Sequence, residues 1–293
     1  MKIAIASGKG GTGKTTVATN LAYVASQRTG SVAYLDCDVE EPNGHIFLKP
    51  RITESRSVGR SVPKVDARLC MLCGQCGRIC QYSAVVCVGS RVLVYPDLCH
   101  SCGGCALVCK ADAIKEISHE IGRIETGRTE AIQFVHGLLD VGVAMSPPLI
   151  REVKKSAPPA DLLIIDAPPG TSCPVIESIK GTDYVLLVTE PTPFGLNDLK
   201  LAVEMVRVLR LPFGVVINRS DIGDEQVRDY CQADGIAILA EIPDDRRLAE
   251  AYAQGIVASR RSETHRAFFT ELLSCIERST VRDAGRRPLT TRK

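Results

Sequence analysis

Eight of the thirteen cysteines fall into two runs, Cys70, Cys73, Cys76, Cys80 and Cys99, Cys102, Cys105, Cys109, each spaced C-x-x-C-x-x-C-x-x-x-C. Three thiolates at this spacing can hold three corners of one iron–sulfur cube while the fourth reaches a neighbouring cube. The pattern therefore predicts two [4Fe-4S] clusters with crossed ligation. Cys70, Cys73, Cys76 and Cys109 would hold the first cluster, and Cys99, Cys102, Cys105 and Cys80 the second. Zinc is the alternative, but zinc sites pair C-x-x-C units across longer gaps. Gln81 and Lys110 stand where a proline usually follows the fourth cysteine. That position carries no ligand, so the departure bears on loop rigidity and potential.

A second chemistry opens the chain. Gly8-Lys9-Gly10-Gly11-Thr12-Gly13-Lys14-Thr15-Thr16 is a phosphate-binding loop between an apolar strand and an expected amphipathic helix running to Ala25. Its glycines let successive N–H groups face phosphate oxygens, and the helix adds its positive end. Lys14 would neutralise the β and γ phosphates, and the Thr15 hydroxyl would ligate Mg²⁺. Asp166 ends the run Leu162 to Ile165, where a carboxylate can hold the Mg²⁺ shell, and the turn Ala167-Pro168-Pro169-Gly170 could sense the γ phosphate.

Of the remaining cysteines, Cys87, Cys231 and Cys275 read as small buried hydrophobes and Cys37 as packing behind the loop. Cys173 lies seven residues beyond Asp166 and reads as structural; resemblance to nitrogenase iron proteins, which carry a cluster-ligating cysteine at this offset, implies metal ligation or electron exchange near a dimer axis as the alternative. The five histidines are scattered and form no local catalytic pattern. His100 reads as a solvated loop residue, with tuning of the neighbouring cluster as the alternative.

The elements that must position these groups follow from short apolar runs: Lys2 to Ala6, Val32 to Leu35, Leu162 to Ile165, Val185 to Val188, Gly214 to Ile217 and Ile236 to Leu239. Runs this apolar predict strands covered on both faces, hence an α/β fold with a doubly wound, mostly parallel sheet. The polar stretch Arg51 to Val62 has no clear period and reads as a linker. The cysteine-rich segment that follows repeats with a period of 29 residues, because Cys70 maps onto Cys99 and Val65 onto Val94. It reads as a small α+β ferredoxin-type insert that depends on its clusters to fold. A hairpin is expected over Gly122 to Arg128, and a helix opened by Pro147-Pro148. The reading divides the chain into a P-loop domain, residues 1–62 and 118–278, an insert, residues 63–117, and a basic disordered tail, residues 279–293.

Composition narrows the partners. The net charge is +2, aromatic residues make up 4% and tryptophan is absent, which disfavours nucleic acid. No apolar run approaches the roughly 18 residues needed to span a bilayer. Met1-Lys2 leads straight into Ile3-Ala4-Ile5-Ala6 with no basic leader. An odd cysteine count in clustered spacing also favours metal ligation in a reducing compartment, so a cytoplasmic location is expected.

The loop with its extra Lys9, the sequence Asp36-Cys37-Asp38 and the sequence Asp166-Ala167-Pro168-Pro169-Gly170 resemble those of MinD/Mrp-type P-loop ATPases. These belong to the SIMIBI class with a deviant Walker A motif, and the chain is similar in particular to members with an inserted bacterial-type 2[4Fe-4S] ferredoxin domain. The resemblance implies an ATP-bound dimer, with itself or with a related subunit, in which Lys9 reaches the partner's phosphates. It implies that Asp38 orients the attacking water, that Asp36 supports the metal shell, and that Asn218, Pro243 and Asp245 lie about the adenine. Lys9, Lys14, Asp38 and Asp166 become the expected catalytic set. ATP, Mg²⁺ and two [4Fe-4S] clusters are the expected cofactors.

The leading expectation is ATP-gated electron transfer through the clusters to a redox partner. An ATP-driven carrier or maturation factor for iron–sulfur or metal cofactors is the alternative. A MinD-like spatial-positioning ATPase is a further one, against which the tail argues: Arg282 to Lys293 offers no apolar face for direct membrane docking.

Overall fold

The computed structural model describes residues 1–28 and 30–284. Seven parallel strands form the body of one nine-stranded sheet: β1 (Lys2–Ala6), β2 (Val32–Asp36), β7 (Ile132–Leu139), β8 (Leu162–Asp166), β9 (Tyr184–Thr189), β10 (Phe213–Asn218) and β11 (Ile238–Ile242). Two long antiparallel strands, β3 (Arg51–Val65) and β6 (Ile114–Thr129), extend it in the order β11-β10-β9-β1-β8-β2-β7-β6-β3.

Alternation along each parallel strand sends apolar side chains to both faces. Ile3, Ile5, Leu162 and Ile164 join one core with α1 (Lys14–Ser26), α9 (Arg246–Ala253), α10 (Ala258–Arg261) and α11 (Glu263–Ala284). Ala4, Ala6, Leu163 and Ile165 join the other with α5 (Pro147–Lys155), α6 (Cys173–Ile179), α7 (Pro193–Val208) and α8 (Gln226–Ala233). Each such large side chain contributes about 1.5–3 kcal/mol on burial, so the two cores hold the sheet's carboxyl edge as a rigid platform. Helix α1 is not amphipathic as expected. It lies under α10 and α11, and Val17, Ala18, Leu21 and Ala22 are buried together with Thr19 and Asn20.

The stretch Arg51 to Val62 is not a linker. It is most of β3, paired with β6 over its whole length from Arg51↔Arg128 to Val65↔Ile114. Its first residues are exposed at the sheet edge, so no apolar alternation marks them. The hairpin turn lies at Glu130-Ala131, between β6 and β7, and not within Gly122 to Arg128. Strand β11 begins at Ile238, two residues later than expected.

Only the Gly122–Thr129 half of β6 pairs with β7, Gly122 lying opposite Leu139. The remainder of the β3–β6 ribbon projects past the carboxyl ends of the parallel strands. Residues 66–113 form its tip, closed by a bond from Asp66 N–H to the Ala113 carbonyl at 2.7 Å. The tip holds α3 (Gln75–Ile79), the hairpin β4 (Val85–Val88) and β5 (Arg91–Val94), and α4 (Gly104–Leu107). A short helix α2 (Gly44–Leu48) precedes the ribbon. Of the expected tail, residues 279–284 continue α11, and residues 285–293 lie outside the described residues.

Candidate functional site: a phosphate loop beside a cysteine ribbon

Strands β1, β2, β8 and β10 end at one edge and deliver the site. Register alone sets Asp36 beside Asp166 on neighbouring strands. Lys14, the first residue of α1, is buried and places Nζ 3.2 Å from Asp166 Oδ1 and 4.0 Å from Asp38 Oδ2. Burial alone would pull the Lys14 ammonium down, but Asp166 and Asp38 outweigh it and hold its pKa above the ordinary lysine value. The other Asp166 oxygen accepts from the Tyr34 hydroxyl at 2.9 Å. Burial beside Asp166 and Asp36 keeps that phenol protonated as a donor.

Asp36 is fully buried, and its carboxylate accepts from the backbone N–H of Gly44 at 2.8 Å and of Asp38 at 3.2 Å. It shapes the loop that presents Asp38. Burial, with Asp166 alongside, pushes the Asp36 pKa up to about 8. Burial lifts Asp38 to about 6 against the pull of Lys14. Three carboxylates thus face one ammonium, and this surplus fits a divalent cation held with a polyphosphate.

The cleft above has a volume of ≈ 420 Å³, is open to solvent, and is lined by Gly10, Gly11, Gly13, Lys14, Thr15, Thr16, Asp38, Asn218, Pro243 and Asp245 among others. Asp36 and Asp166 lie beneath this lining. Gly13 has φ +89°, and a Cβ there would come within 2.5 Å of Asn218 Nδ2. Asn218 in turn donates to the Thr12 carbonyl at 2.9 Å, clamping the end of β10 onto the loop. The Thr12 hydroxyl and the Asn43 side-chain carbonyl are buried without partners. Asp245 accepts from Arg247 N–H at 2.7 Å as the cap of α9 and pairs with His265 at 2.8 Å. Gly8 packs against the backbone of Asp198, and Lys9 turns away from the cleft to Glu190 at 3.5 Å.

Glu190, Arg219, Tyr34, Asn43 and Tyr252 join the site without having been expected there. Glu190 and Arg219 follow the ends of β9 and β10, the position in an α/β sheet where ligands bind, so their signal was present. Tyr252 comes from α9, which only the fold brings over the cleft.

At the ribbon tip, Cys70, Cys73, Cys76 and Cys109, drawn from both runs, line one cavity walled by Val65, Met71, Val92 and Ile114. Cys80 packs against Cys99 with Val62 and Ala84. The Cys105 thiol is pushed up by burial and by Cys99 and Cys102 beside it. The 29-residue repeat persists in the backbone: Leu72 and Ser101, Gly74 and Gly103, and Ser83 and Asp112 are all left-handed. Non-glycine residues adopt that conformation rarely, so its recurrence marks two copies of one loop. Backbone N–H groups point at sulfur, from Ala113 to Cys109 at 3.3 Å and from Ser101 to Cys99 at 3.4 Å. Burial would raise the Cys80 thiol, but the N–H groups of Tyr82, Val85, Ala84 and Ser83 outweigh it and hold it below the usual thiol value. These donors and the apolar wall suit thiolate ligands of a cluster. Among the described residues no three His, Cys, Asp or Glu side chains converge closely enough to hold a single metal ion.

Cys231 is buried as expected, whereas Cys87 and Cys275 are only partly so, and Cys87 Sγ lies 3.8 Å from Cys76 Sγ. Cys37 is fully buried and burial pushes its thiol far up. Cys173 is exposed at the start of α6. His100 stacks on Tyr82, ring centroids 3.5 Å apart.

The loop that carries Asp38 and the ribbon are both bonded to the end of β7. Leu139 N–H donates to the Val39 carbonyl at 2.8 Å, and Asp140 N–H to the Ile121 carbonyl at 3.0 Å. The Ser146 hydroxyl donates to Glu40 at 2.9 Å.

Residues 3–258 match the model of the CobQ/CobB/MinD/ParA nucleotide binding domain. An uncharacterised protein of Methanocaldococcus jannaschii is 30% identical over 87% of this chain and 90% of its own length. An iron–sulfur cluster carrier protein of Aquifex aeolicus is 26% identical over 95% of this chain and 68% of its own. The cell division ATPase MinD of Pyrococcus furiosus shares the fold, with a TM-score of 0.58 at 22% identity, covering 94% of this chain and 98% of that one. Among the described residues no helix is long and apolar enough to cross a membrane.

Proposed function

The chain belongs to the CobQ/CobB/MinD/ParA nucleotide-binding family and is an ATP-binding and ATP-hydrolysing P-loop ATPase, and from that premise we propose that its ATP cycle drives the handling of iron–sulfur clusters carried by the ribbon tip. The clusters are cargo for an apo-acceptor protein, and the ATPase governs their release. The observation that carries this reading is the single cavity lined by Cys70, Cys73, Cys76 and Cys109 at the end of a ribbon that is linked to the Asp38 loop through Leu139 and Asp140 at the end of β7. Relatives named as iron–sulfur cluster carriers support delivery over other uses.

Positioning and electrostatics suffice for the phosphoryl chemistry. Lys14 would neutralise the phosphate charge, Thr15 and the carboxylates of Asp38 and Asp166 would hold Mg²⁺ with Asp36 supporting that shell from beneath, and Asp38 would orient water. Asn218, Pro243 and Asp245 flank the base. Lys9 leaves Glu190 to reach the phosphates of a second, related ATPase subunit, whether identical or homologous.

Gated electron transfer to a redox partner is the second reading, favoured by the buried Cys76 and Cys99 and the N–H···S bonds to Cys99 and Cys109, which suit resident clusters. One experiment separates the two. Protein reconstituted anaerobically with iron and sulfide is mixed with apo-aconitase, and aconitase activity and iron left on the chain are followed with ATP, with ADP and in Lys14→Ala. ATP-stimulated transfer that is lost in Lys14→Ala supports the carrier. Clusters that stay bound while ATP changes their rate of oxidation support electron transfer instead.

A further inference from the structure

Arg60 is a buried cation without an anion. Alternation along β3 turns Val58, Arg60 and Val62 inward, and Arg60 is 5% exposed. Its Nη2 donates to the Pro96 carbonyl at 2.7 Å, and its Nη1 donates to the Cys99 carbonyl and meets Met145 Sδ at 3.9 Å. Its Nε is buried with no partner. Among the described residues no carboxylate pairs with it, and the acidic neighbour in that turn, Asp97, lies 3.9 Å from His119 instead. Carbonyl oxygens satisfy N–H groups but do not neutralise the charge, and a buried ion left unpaired costs several kcal/mol. The missing charge belongs beside Cys99. At the other set the Arg78 guanidinium donates to the Cys73 carbonyl at 3.2 Å, but it is exposed to solvent and does not line the cavity of Cys70, Cys73, Cys76 and Cys109, so only the second set has a buried cation beside it.

We propose that Arg60 is the built-in counter-cation of an anionic iron–sulfur cluster held by Cys80, Cys99, Cys102 and Cys105, and that it makes this cluster the more easily reduced of the two. The inference rests on the reading that the eight cysteines hold clusters. A cluster gains one negative charge with each electron and exchanges no proton or ligand, so a fixed cation at its edge favours the reduced form. Arg60 is a positioning residue of the ATPase strand that acts on the insert.

The test is an anaerobic redox titration with dithionite of the reconstituted full chain, read by electron paramagnetic resonance. It compares wild type, Arg60→Gln and Arg60→Lys, with iron counted per chain. Two distinct midpoints are expected in the wild type. Arg60→Gln should lower the upper one by at least tenfold in the reduced-to-oxidised ratio, about 59 mV for a one-electron couple, and leave the lower one in place. Arg60→Lys should keep most of the wild-type value. Unmoved midpoints in Arg60→Gln at normal iron content overturn the proposal, as does an equal shift of both. Should Arg60→Gln fail to take up iron, Arg60→Lys decides: a retained upper midpoint supports the charge role, and loss of iron there too leaves Arg60 as a clamp on the Pro96–Cys99 turn and overturns it. A wild-type chain that takes up no iron instead removes the cluster reading itself.

Discussion

The Lys9 ammonium rests 3.5 Å from the Glu190 carboxylate of its own chain, which Arg219 also engages at 3.1 Å. The lysine that marks this class of phosphate loop is thus parked outside its own cleft. Glu190 is largely buried and keeps its bond to Arg219 when the partly exposed Lys9 leaves, so the lysine can exchange this partner for a phosphate without stranding the carboxylate. Glu190→Gln should therefore raise the ATP-dependent dimer fraction by roughly two- to fivefold in sedimentation experiments. Lys9→Ala should bind nucleotide as one subunit yet hydrolyse ATP at least tenfold more slowly. A Lys9→Ala protein with undiminished turnover would place the lysine outside the mechanism.

Asn218 bonds the Thr12 carbonyl and sits against Gly13. Asn218→Ala should weaken ATP binding by about 0.5–1.5 kcal/mol, the net value of one hydrogen bond, with little change in melting temperature. Gly13→Ala should abolish binding, because it adds both a clash with Asn218 and a left-handed alanine. Calorimetric titration with a non-hydrolysable ATP analogue reads both.

Stability should depend on pH through the crowded carboxylates. Asp38 and Asp36 titrate near 6 and 8 in the folded state, above the unfolded carboxylate range. A folded pKa raised in this way gives a stabilising contribution that is complete below about pH 4 and is lost as pH rises through 6 to 8. Nucleotide- and Mg²⁺-free protein should melt at lower temperature at pH 8 than at pH 6. Asp38→Asn should flatten the lower part of that decline, and Mg²⁺ with nucleotide should counter it. A melting temperature that rises from pH 6 to pH 8 would contradict this account.

On the proposed cluster reading, the crossed cysteine sets predict how iron is lost. Cys109→Ala should remove the iron of the first cluster and Cys80→Ala that of the second, each lowering iron per chain by about half, whereas Cys87→Ala should leave it unchanged. In apo-protein, amide exchange should be fast over residues 66–113 and slow over the Gly122–Thr129 half of β6, because the tip alone buries little core while that half is paired on both sides within the main sheet.

The Ser146 hydroxyl ties Glu40, two residues beyond Asp38, to the segment that touches Arg60 through Met145. Ser146→Ala should leave ATP turnover within about twofold, because the part-buried bond it removes touches no residue of the phosphate cleft, only Glu40's own loop, but should diminish any effect of ATP on cluster release or oxidation. An unaltered ATP effect would show that the two sites communicate by another route.

The amino-acid sequence by itself determined the chemistry and the repeating framework. Glycines at fixed spacing around Lys14 can do little else than curve a backbone about phosphate, and eight thiols spaced twice alike announce one loop used twice. Six of the seven parallel strands were equally legible, because covering both faces demands continuous apolar runs, whereas β7, interrupted by Gln133, His136 and Gly137, carries no such run. Strand β3 was not legible either, since an edge strand open to water carries no such demand and Arg51 to Ser57 are exposed. Only the tertiary structure decided that this strand and β6 carry the cysteines past the carboxyl edge of the sheet, on the side of Asp38. It also decided that Lys9 meets Glu190 and that Arg60 meets Cys99. These partners lie far apart in sequence, and their distances are set by strand register and crossover, quantities that no local pattern of residues encodes.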